Sequence, residues 1–280
     1  MDLASLLRYV ENETGALIGV DAKHGAFFEL ESLRLTPDQY LHHGAYCRFV
    51  KLGGGIMGCA VNKDHSRALA RHGRRFQGVC PFGVWELACP VLCQGELAAV
   101  LYMGHFQKAG TPMKAPPGKR WTGKPLPEIT PAKIAELHRW ATFLVKHIVL
   151  DIEIWLGSGG GRNKKRGEAF YIESSHRFID CQFSKRIGLA DLAETMRVNA
   201  NYLGEILKKQ HGKNFRQLLN ERRVEEAKIY LQPQHALSIS RVAAICGFDD
   251  SNYFSVVFKK HTGLTPSAFR ELGVKRERPK

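Results

Sequence analysis

Five cysteines, Cys47, Cys59, Cys80, Cys89 and Cys93, fall within 47 residues of the N-terminal half. Thiolates attack electrophiles, exchange disulfides and hold soft metals. Their separations of 12, 21, 9 and 4 contain no C-x-x-C, so paired metal knuckles are not indicated. Three uses stay open on spacing alone: small buried hydrophobes, a thiol redox switch, or a metal centre with His42, His43, His65, His72 and His105 as further ligands. Cysteines and aromatics on apolar, strand-like segments also suit a pocket for a small apolar or weakly polar molecule, near Cys47, Cys80 and Trp85.

A second chemical pattern is written twice. "NYLGEILKKQHG" runs from Asn201 to Gly212 and "NYFSVVFKKHTG" from Asn252 to Gly263, an offset of 51. Lys208, Lys209, Lys259 and Lys260 have the chemistry of phosphate contacts, which position a protein on a duplex without specifying sequence. The plainer alternative is lysines at solvated helix ends, where the dipole favours cations.

What must position those residues is legible upstream of each copy. The extended units read "LADLAETMRVNANYLGEILKKQHG" and "ISRVAAICGFDDSNYFSVVFKKHTG". Each predicts a short helix with a central alanine (Ala193, Ala243) and a turn (Arg197-Val198, Gly247-Phe248). A capping residue (Asn199; Asp249 or Asp250) then opens a longer second helix. Small alanines let two helices cross closely, and Gly247 tolerates turn geometry that side chains resist. This is helix-turn-helix logic, although a plain helical-hairpin repeat uses the same signals. Between the copies, residues 214–232 predict one continuous helix, a rod of roughly 27 Å. A duplex turn measures ~34 Å, so the rod suits placing two reading helices in successive major-groove segments.

The surrounding chain supports a two-part organisation. The formal charge of +14 divides into +4 for residues 1–160 and +10 for 161–280, which gives the C-terminal part the footprint of a polyanion binder. "GSGGGRNKKRG" at 157–167 predicts a flexible linker. Upstream of it "ALIGV", "FQGVCPFGVWELACPVL" and "LAAVLYMGHF" predict strands, with "CQGEL" as a tight turn, and 57–72 predicts a helix. The proline-bearing stretch 108–131 predicts an excursion inside this domain. Ile134, Leu137, Ala141, Leu144, Ile148, Ile152 and Trp155 form a seam close to a 3.5-residue period. Two roles fit the seam equally: a helix that joins two copies, or one that packs on its own domain's sheet.

No apolar run is long enough to span a bilayer and no basic-then-apolar leader opens the chain, so cytoplasmic residence with reduced thiols is expected. Nucleophile elbow, phosphate-cradling glycine loop and zincin helix are missing from the sequence; the GGG runs at 53–55 and 159–161 lack the flanking Lys-Ser/Thr that phosphate binding needs. An enzyme is therefore not expected, and no cofactor is implied.

Residues 168–272 resemble the DNA-binding domain of the AraC/XylS family of transcription regulators, most clearly in "GFDDSNYFSVVFKKHTGLTPSAFR" at 247–270. That resemblance implies base-facing positions at Asn201, Gly204 and Glu205 in the first unit, and at Ser251, Asn252, Ser255 and Val256 in the second. Asn bonds adenine, Glu accepts from cytosine and Val touches a thymine methyl, so the residue types partly agree. Gly204 offers no side chain, which shifts readout there to shape or backbone. "YCRFVK", "GCAVNKD" and "CPFGVWELACPVLCQGELAAVLYMGHF" are similar to PocR-type sensory domains, ligand-sensing modules of PAS-like build. By that likeness Cys47, Cys59 and Cys80 sit on recurring cysteines of the family. Cys80-Pro81 replaces its usual Cys-His, and Cys89 and Cys93 are additions of this chain.

The expected fold is thus an α/β, PAS-like sensor domain (1–156), a linker (157–167) and an all-α domain with two helix-turn-helix units (168–280). The expected function is transcription regulation responsive to a small organic effector, held near Cys47, Cys59, Cys80 and Trp85. The expected partners are double-stranded operator DNA and a second copy of the chain, with no membrane. The rival expectation is a metal- or redox-responsive regulator that uses the cysteines at 47–93.

Overall fold

A computed structural model describes residues 2–40, 44–159, 167–231 and 237–277, with side chains described up to 272. The chain divides into two units, one of residues 1–51 and 55–164, the other of 52–54 and 165–280. The predicted linker at 157–167 falls mostly outside the described residues, as do His42 and His43.

The first unit is built on a four-stranded antiparallel sheet of order β1-β4-β3-β2. Helix α1 (Leu3–Thr14) leads into β1 (Leu17–Ala22), and a short α2 (Ala26–Glu29) follows. Next come α3 (Ala45–Val50), a π-type turn (Lys51–Gly55) and α4 (Ile56–Ala70). Strands β2 (Phe76–Val79), β3 (Val84–Cys93) and β4 (Glu96–Gln107) complete the sheet, and α5 (Pro131–Gly157) closes the unit. Gln94 and Gly95 both take positive φ (51° and 83°), giving the tight β3–β4 hairpin whose twist matches its strands.

Strands β3 and β4 read as continuous apolar runs because both of their faces are covered. Trp85, Leu87, Cys89, Val91 and Cys93 of β3 face one way, with Leu101 and Met103 of β4, into a core shared with α1 and α5. Ala88, Val100 and Tyr102 face the other way with Ala70 of α4, and Val84 joins a separate cluster with Tyr46, Cys47 and Val50 of α3. The bland-looking glycines at 53–55 make the kink between α3 and α4. Gly54 sits at φ 101°, and a Cβ at Gly55 or Gly58 would meet Phe82 within 3 Å.

The seam of α5 is decided here. Leu137, Ala141, Leu144, Ile148 and Ile152 are completely buried against the sheet of their own unit. A surface already spent on the domain core cannot also join two copies, so the reading of this seam as a dimer contact is corrected. Thr130 caps the helix by accepting from Lys133 N–H, and Pro131 stands at its first turn, where a missing N–H costs nothing.

The second unit is all helix: α6 (Glu168–Gln182), α7 (Leu189–Thr195), α8 (Ala200–His211), α9 (Phe215–Tyr230), α10 (Ile239–Ile245), α11 (Ser251–Thr262) and α12 (Pro266–Glu277). The predicted bridging helix is present as α9, whose 16 residues span ~24 Å, slightly shorter than expected.

Candidate nucleic-acid interface

The two halves of the repeat fold alike and differ at the turn. In both, the N–H three residues past the end of the short helix returns to its central alanine carbonyl: Val198 to Ala193 at 3.0 Å, Phe248 to Ala243 at 2.9 Å. The first turn places Arg197 in the left-handed region at φ 51°, and the second places Gly247 there at φ 84°. The second turn is one residue longer, since α7 and α10 start 50 apart while α8 and α11 start 51 apart. At Gly247 a Cβ would approach the Phe183 carbonyl oxygen to 2.7 Å, so glycine is required both by φ and by space.

Each longer helix is capped as its sequence suggests. The Asn199 side chain accepts from the N–H groups of Asn201 (2.9 Å) and Tyr202 (3.2 Å). Of the two candidates in the second unit, Asp250 caps α11, accepting from Tyr253 N–H at 2.6 Å, while Asp249 pairs with Arg186 at 3.0 Å. Both helices end on a left-handed glycine, Gly212 and Gly263. Leu203, Ile206 and Leu207 turn inward from α8, and Phe254, Val257 and Phe258 from α11. The opposite faces carry the residues singled out above.

Among these, Asn201 and Glu205 of α8 are exposed, as is Asn252 of α11. Val256 is 67% exposed, an unusual position for an apolar side chain on a helix whose inner face already has a full core. Ser251 and Ser255 are half-buried, and the Ser255 hydroxyl donates to the Ser251 carbonyl at 2.9 Å. Gly204 is half-buried at the α7 crossing, where a Cβ would stand 3.1 Å from Leu189 Cδ2. Lys208, Lys259 and Lys260 are exposed in the last helical turns and form no ion pair among the described residues. Lys209 differs, because its ammonium is held by the Glu168 carboxylate of α6 at 2.9 and 3.0 Å.

Sequence reasoning missed Arg223, which ties the second unit together. Only 8% exposed on α9, it donates from Nε to the Phe183 carbonyl and from Nη2 to that of Lys185, both at 2.8 Å. The same guanidinium lies 5.4 Å from the Phe248 ring. It thereby fixes the end of α6 against the second turn, and burial draws its pKa down. Arg222 beside it binds Asp180 and Glu226. The only signal was an Arg-Arg pair in an amphipathic helix, which surface charge explains equally well.

The cysteines do not form one group. Cys47, Cys59 and Cys80 gather in the cluster of Tyr46, Phe49, Phe82, Met113 and Trp121, whereas Cys89 and Cys93 face the α5 core across the sheet. Trp85 also points to the α5 side, stacked edge-on to Phe106, so its placement beside Cys47 and Cys80 is corrected. Strand alternation is the reason: Val84 and Glu86 point one way, Trp85 the other. Trp121, from the proline-bearing excursion, takes the place expected of Trp85 and packs 5.4 Å from Tyr46 and 5.1 Å from Phe49. Burial pushes the thiols up, to about 12 for Cys47 and about 11 for Cys59, which keeps them neutral and poorly nucleophilic. Beside them Lys63 of α4 donates to Glu86 at 2.5 Å and sits 3.3 Å over the Tyr102 ring. Among the described residues no set of three His, Cys, Asp or Glu is arranged to hold a metal ion. A cleft of about 440 Å³ lies elsewhere, lined by Leu69, His72, Arg74 and Phe76.

Residues 192–272 match the family model described as a helix-turn-helix domain. The chain is 33% identical over 105 residues to the uncharacterized HTH-type transcriptional regulator YijO of Escherichia coli, covering 38% of this chain and 36% of that protein. It is 45% identical over 69 residues to the HTH-type transcriptional activator RhaR of Cronobacter sakazakii, covering 25% of this chain and 24% of that protein. The chain thus spans only about a quarter to a third of these curated relatives. Among solved structures it is similar to the C-terminal domain of AraT, a response regulator from Geobacillus stearothermophilus, at 31% identity and a TM-score of 0.35, over 36% of this chain and 84% of that one. The second unit accordingly carries a DNA-binding helix-turn-helix domain of the AraC family.

Proposed function

We propose that the chain is a sequence-specific transcription regulator of the cytoplasm. Its second unit reads operator DNA with α8 and α11, and its first unit responds to a small organic molecule. The observation that carries the DNA half is the outer face of α11. There Asn252 and the 67%-exposed Val256 stand beside Lys259 and Lys260, so hydrogen-bonding, methyl-contacting and phosphate-binding groups share one accessible surface. Asn201 and Glu205 offer the same kind of surface on α8. Lys208, Lys259 and Lys260 are the phosphate contacts, while Lys209 first has to leave Glu168.

For the first unit, a PAS-like sensor role is supported by a sheet with helices on both faces and by the aromatic and sulfur cluster around Cys47, Cys59 and Cys80. Such a lining suits an apolar or weakly polar effector, with the Lys63–Glu86 pair as its polar margin. Relatives such as the transcriptional activator RhaR favour activation over repression, and the chain works as a homodimer. Selection of bound sequences from a randomised duplex library tests the core of this reading. The unaltered chain should enrich one motif, and Asn252→Ala should relax one base position at a cost of ~1–3 kcal/mol. Enrichment of no motif, or an unchanged motif with Asn252→Ala, overturns it.

A further inference from the structure

With its seam buried, α5 still presents a second line of residues. Arg139, Phe143, Lys146, Leu150 and Glu153 point outward at steps of 4, 3, 4 and 3, the spacing that keeps one stripe of a helix facing a partner helix. Phe143 is 50% exposed, Leu150 54% and the adjoining Ile154 60%. Scattered surface apolars are ordinary, but three large ones on one helical stripe form a patch. An aromatic chain widens it. Tyr9 of α1, itself half exposed, meets Trp140 at 6.1 Å, Trp140 meets Phe143 at 6.0 Å, and Phe143 stacks on His147 at 6.4 Å.

The charges on this stripe are sorted along the helix. Arg139 stands toward the N-terminal end of the stripe, Lys146 at its middle and Glu153 toward its C-terminal end. If two such stripes met in parallel, Arg139 would face Arg139 and Glu153 would face Glu153, like charges throughout. If they met antiparallel about a two-fold axis, each residue would face one whose number sums with its own to a constant. A sum near 292–293 sets Phe143 against the partner's Leu150 and Arg139 against the partner's Glu153, and by symmetry the reverse. Two apolar pairs and two opposite-charge pairs are then matched in a single register, with Lys146 meeting the partner's Lys146 at the axis. That reciprocity is what a self-complementary two-fold contact demands. Lys146 lies at the axis, where its long stem lies over apolar surface while the ammonium escapes to water.

We propose that this outward face of α5 is where a second copy of the chain docks, antiparallel. The proposal rests on the homodimer in the reading above and names its surface, one that the buried seam had concealed. Sedimentation velocity on the full chain at ~20 µM tests it. The unaltered chain should sediment as a dimer, and Phe143→Ser with Leu150→Ser should sediment as a monomer. Both positions are half exposed, so the pair should keep the melting temperature within a few degrees. Arg139→Glu alone and Glu153→Arg alone should each weaken the dimer ~10-fold or more, and the two together should restore it. A monomeric unaltered chain, a dimer that survives Phe143→Ser with Leu150→Ser, or a double charge reversal that fails to restore association overturns the proposal. DNA binding separates this from the wider reading. The monomeric variants should still bind a single site, whereas a dimer that selects no DNA motif would overturn the regulator reading and leave this contact standing.

Discussion

Arg197 and Gly247 hold equivalent places in two copies of one turn, yet exchange should act on them in opposite directions. Gly247→Ala should cost ~1–3 kcal/mol, because an alanine at φ 84° is strained and its Cβ would press on the Phe183 carbonyl. Arg197 is exposed and already bears the left-handed penalty, so Arg197→Gly should gain up to ~1 kcal/mol. Urea denaturation of both variants checks the opposite signs. The thiols give a second expectation at this scale. With folded values of about 12 for Cys47 and about 11 for Cys59 and Cys89, native protein at pH 7.5 should react with iodoacetamide far more slowly than urea-unfolded protein. The linkage sign follows from raised acids. Their stabilising contribution is complete below the unfolded thiol value of roughly 8.5 and is lost as pH climbs toward 11–12. Native-state labelling at the unfolded rate would remove the burial argument.

At the scale of elements, α9 and α5 each carry a decisive contact. Arg223→Met keeps the apolar stem and removes the two donors to the Phe183 and Lys185 carbonyls. A loss of ~2–4 kcal/mol is expected in the second unit, with DNA affinity falling because the end of α6 is no longer fixed against the second turn. A melting temperature equal to that of the unaltered chain would show that other contacts hold this junction. On α5, Leu144→Glu puts a charge where no solvent reaches, so the first unit should unfold rather than release an intact monomer; circular dichroism distinguishes the two. Helices α6 and α8 meet at His176 and His211, whose Nε2 atoms stand 3.2 Å apart. Burial and then His211 lower the His176 pKa. The contribution of neutral His176 is therefore present above about pH 6.5 and lost as pH falls below it. His176→Gln should flatten that acid slope in a thermal-melt series.

For the whole molecule, the charge asymmetry and the separate cores assign different physics to the two units. The second unit holds most of the excess positive charge, so its DNA affinity should fall steeply with salt. Lys260→Ala should weaken all sequences alike and lower the slope of log K against log salt by ~0.9. An unchanged slope would remove Lys260 from the phosphate contacts. A fragment starting at Gly167 should keep motif selection while losing any response to an effector. A fragment ending at Gly159 should keep a cooperative melt that shifts upward with a bound small molecule.

How much of this was legible in the residues depends on the range of the interaction involved. The repeat, its capped helices, the helix between the copies and the tight β3–β4 turn were legible in the sequence, because they rest on neighbours a few residues apart. Asn199 caps the residues beside it, and Gln94-Gly95 turns the strands that adjoin it. Partners separated by long stretches were decided only by tertiary structure. Trp85 and Val84 are adjacent in sequence, yet pleating sends one to α5 and the other to Cys47, and Trp121 reaches that cluster from the proline-bearing excursion. The α5 seam carries a period that suits a sheet or a partner helix equally. Which of the two it meets is fixed by the sheet that β1, β3 and β4 build beneath it, and that choice leaves the outward stripe free.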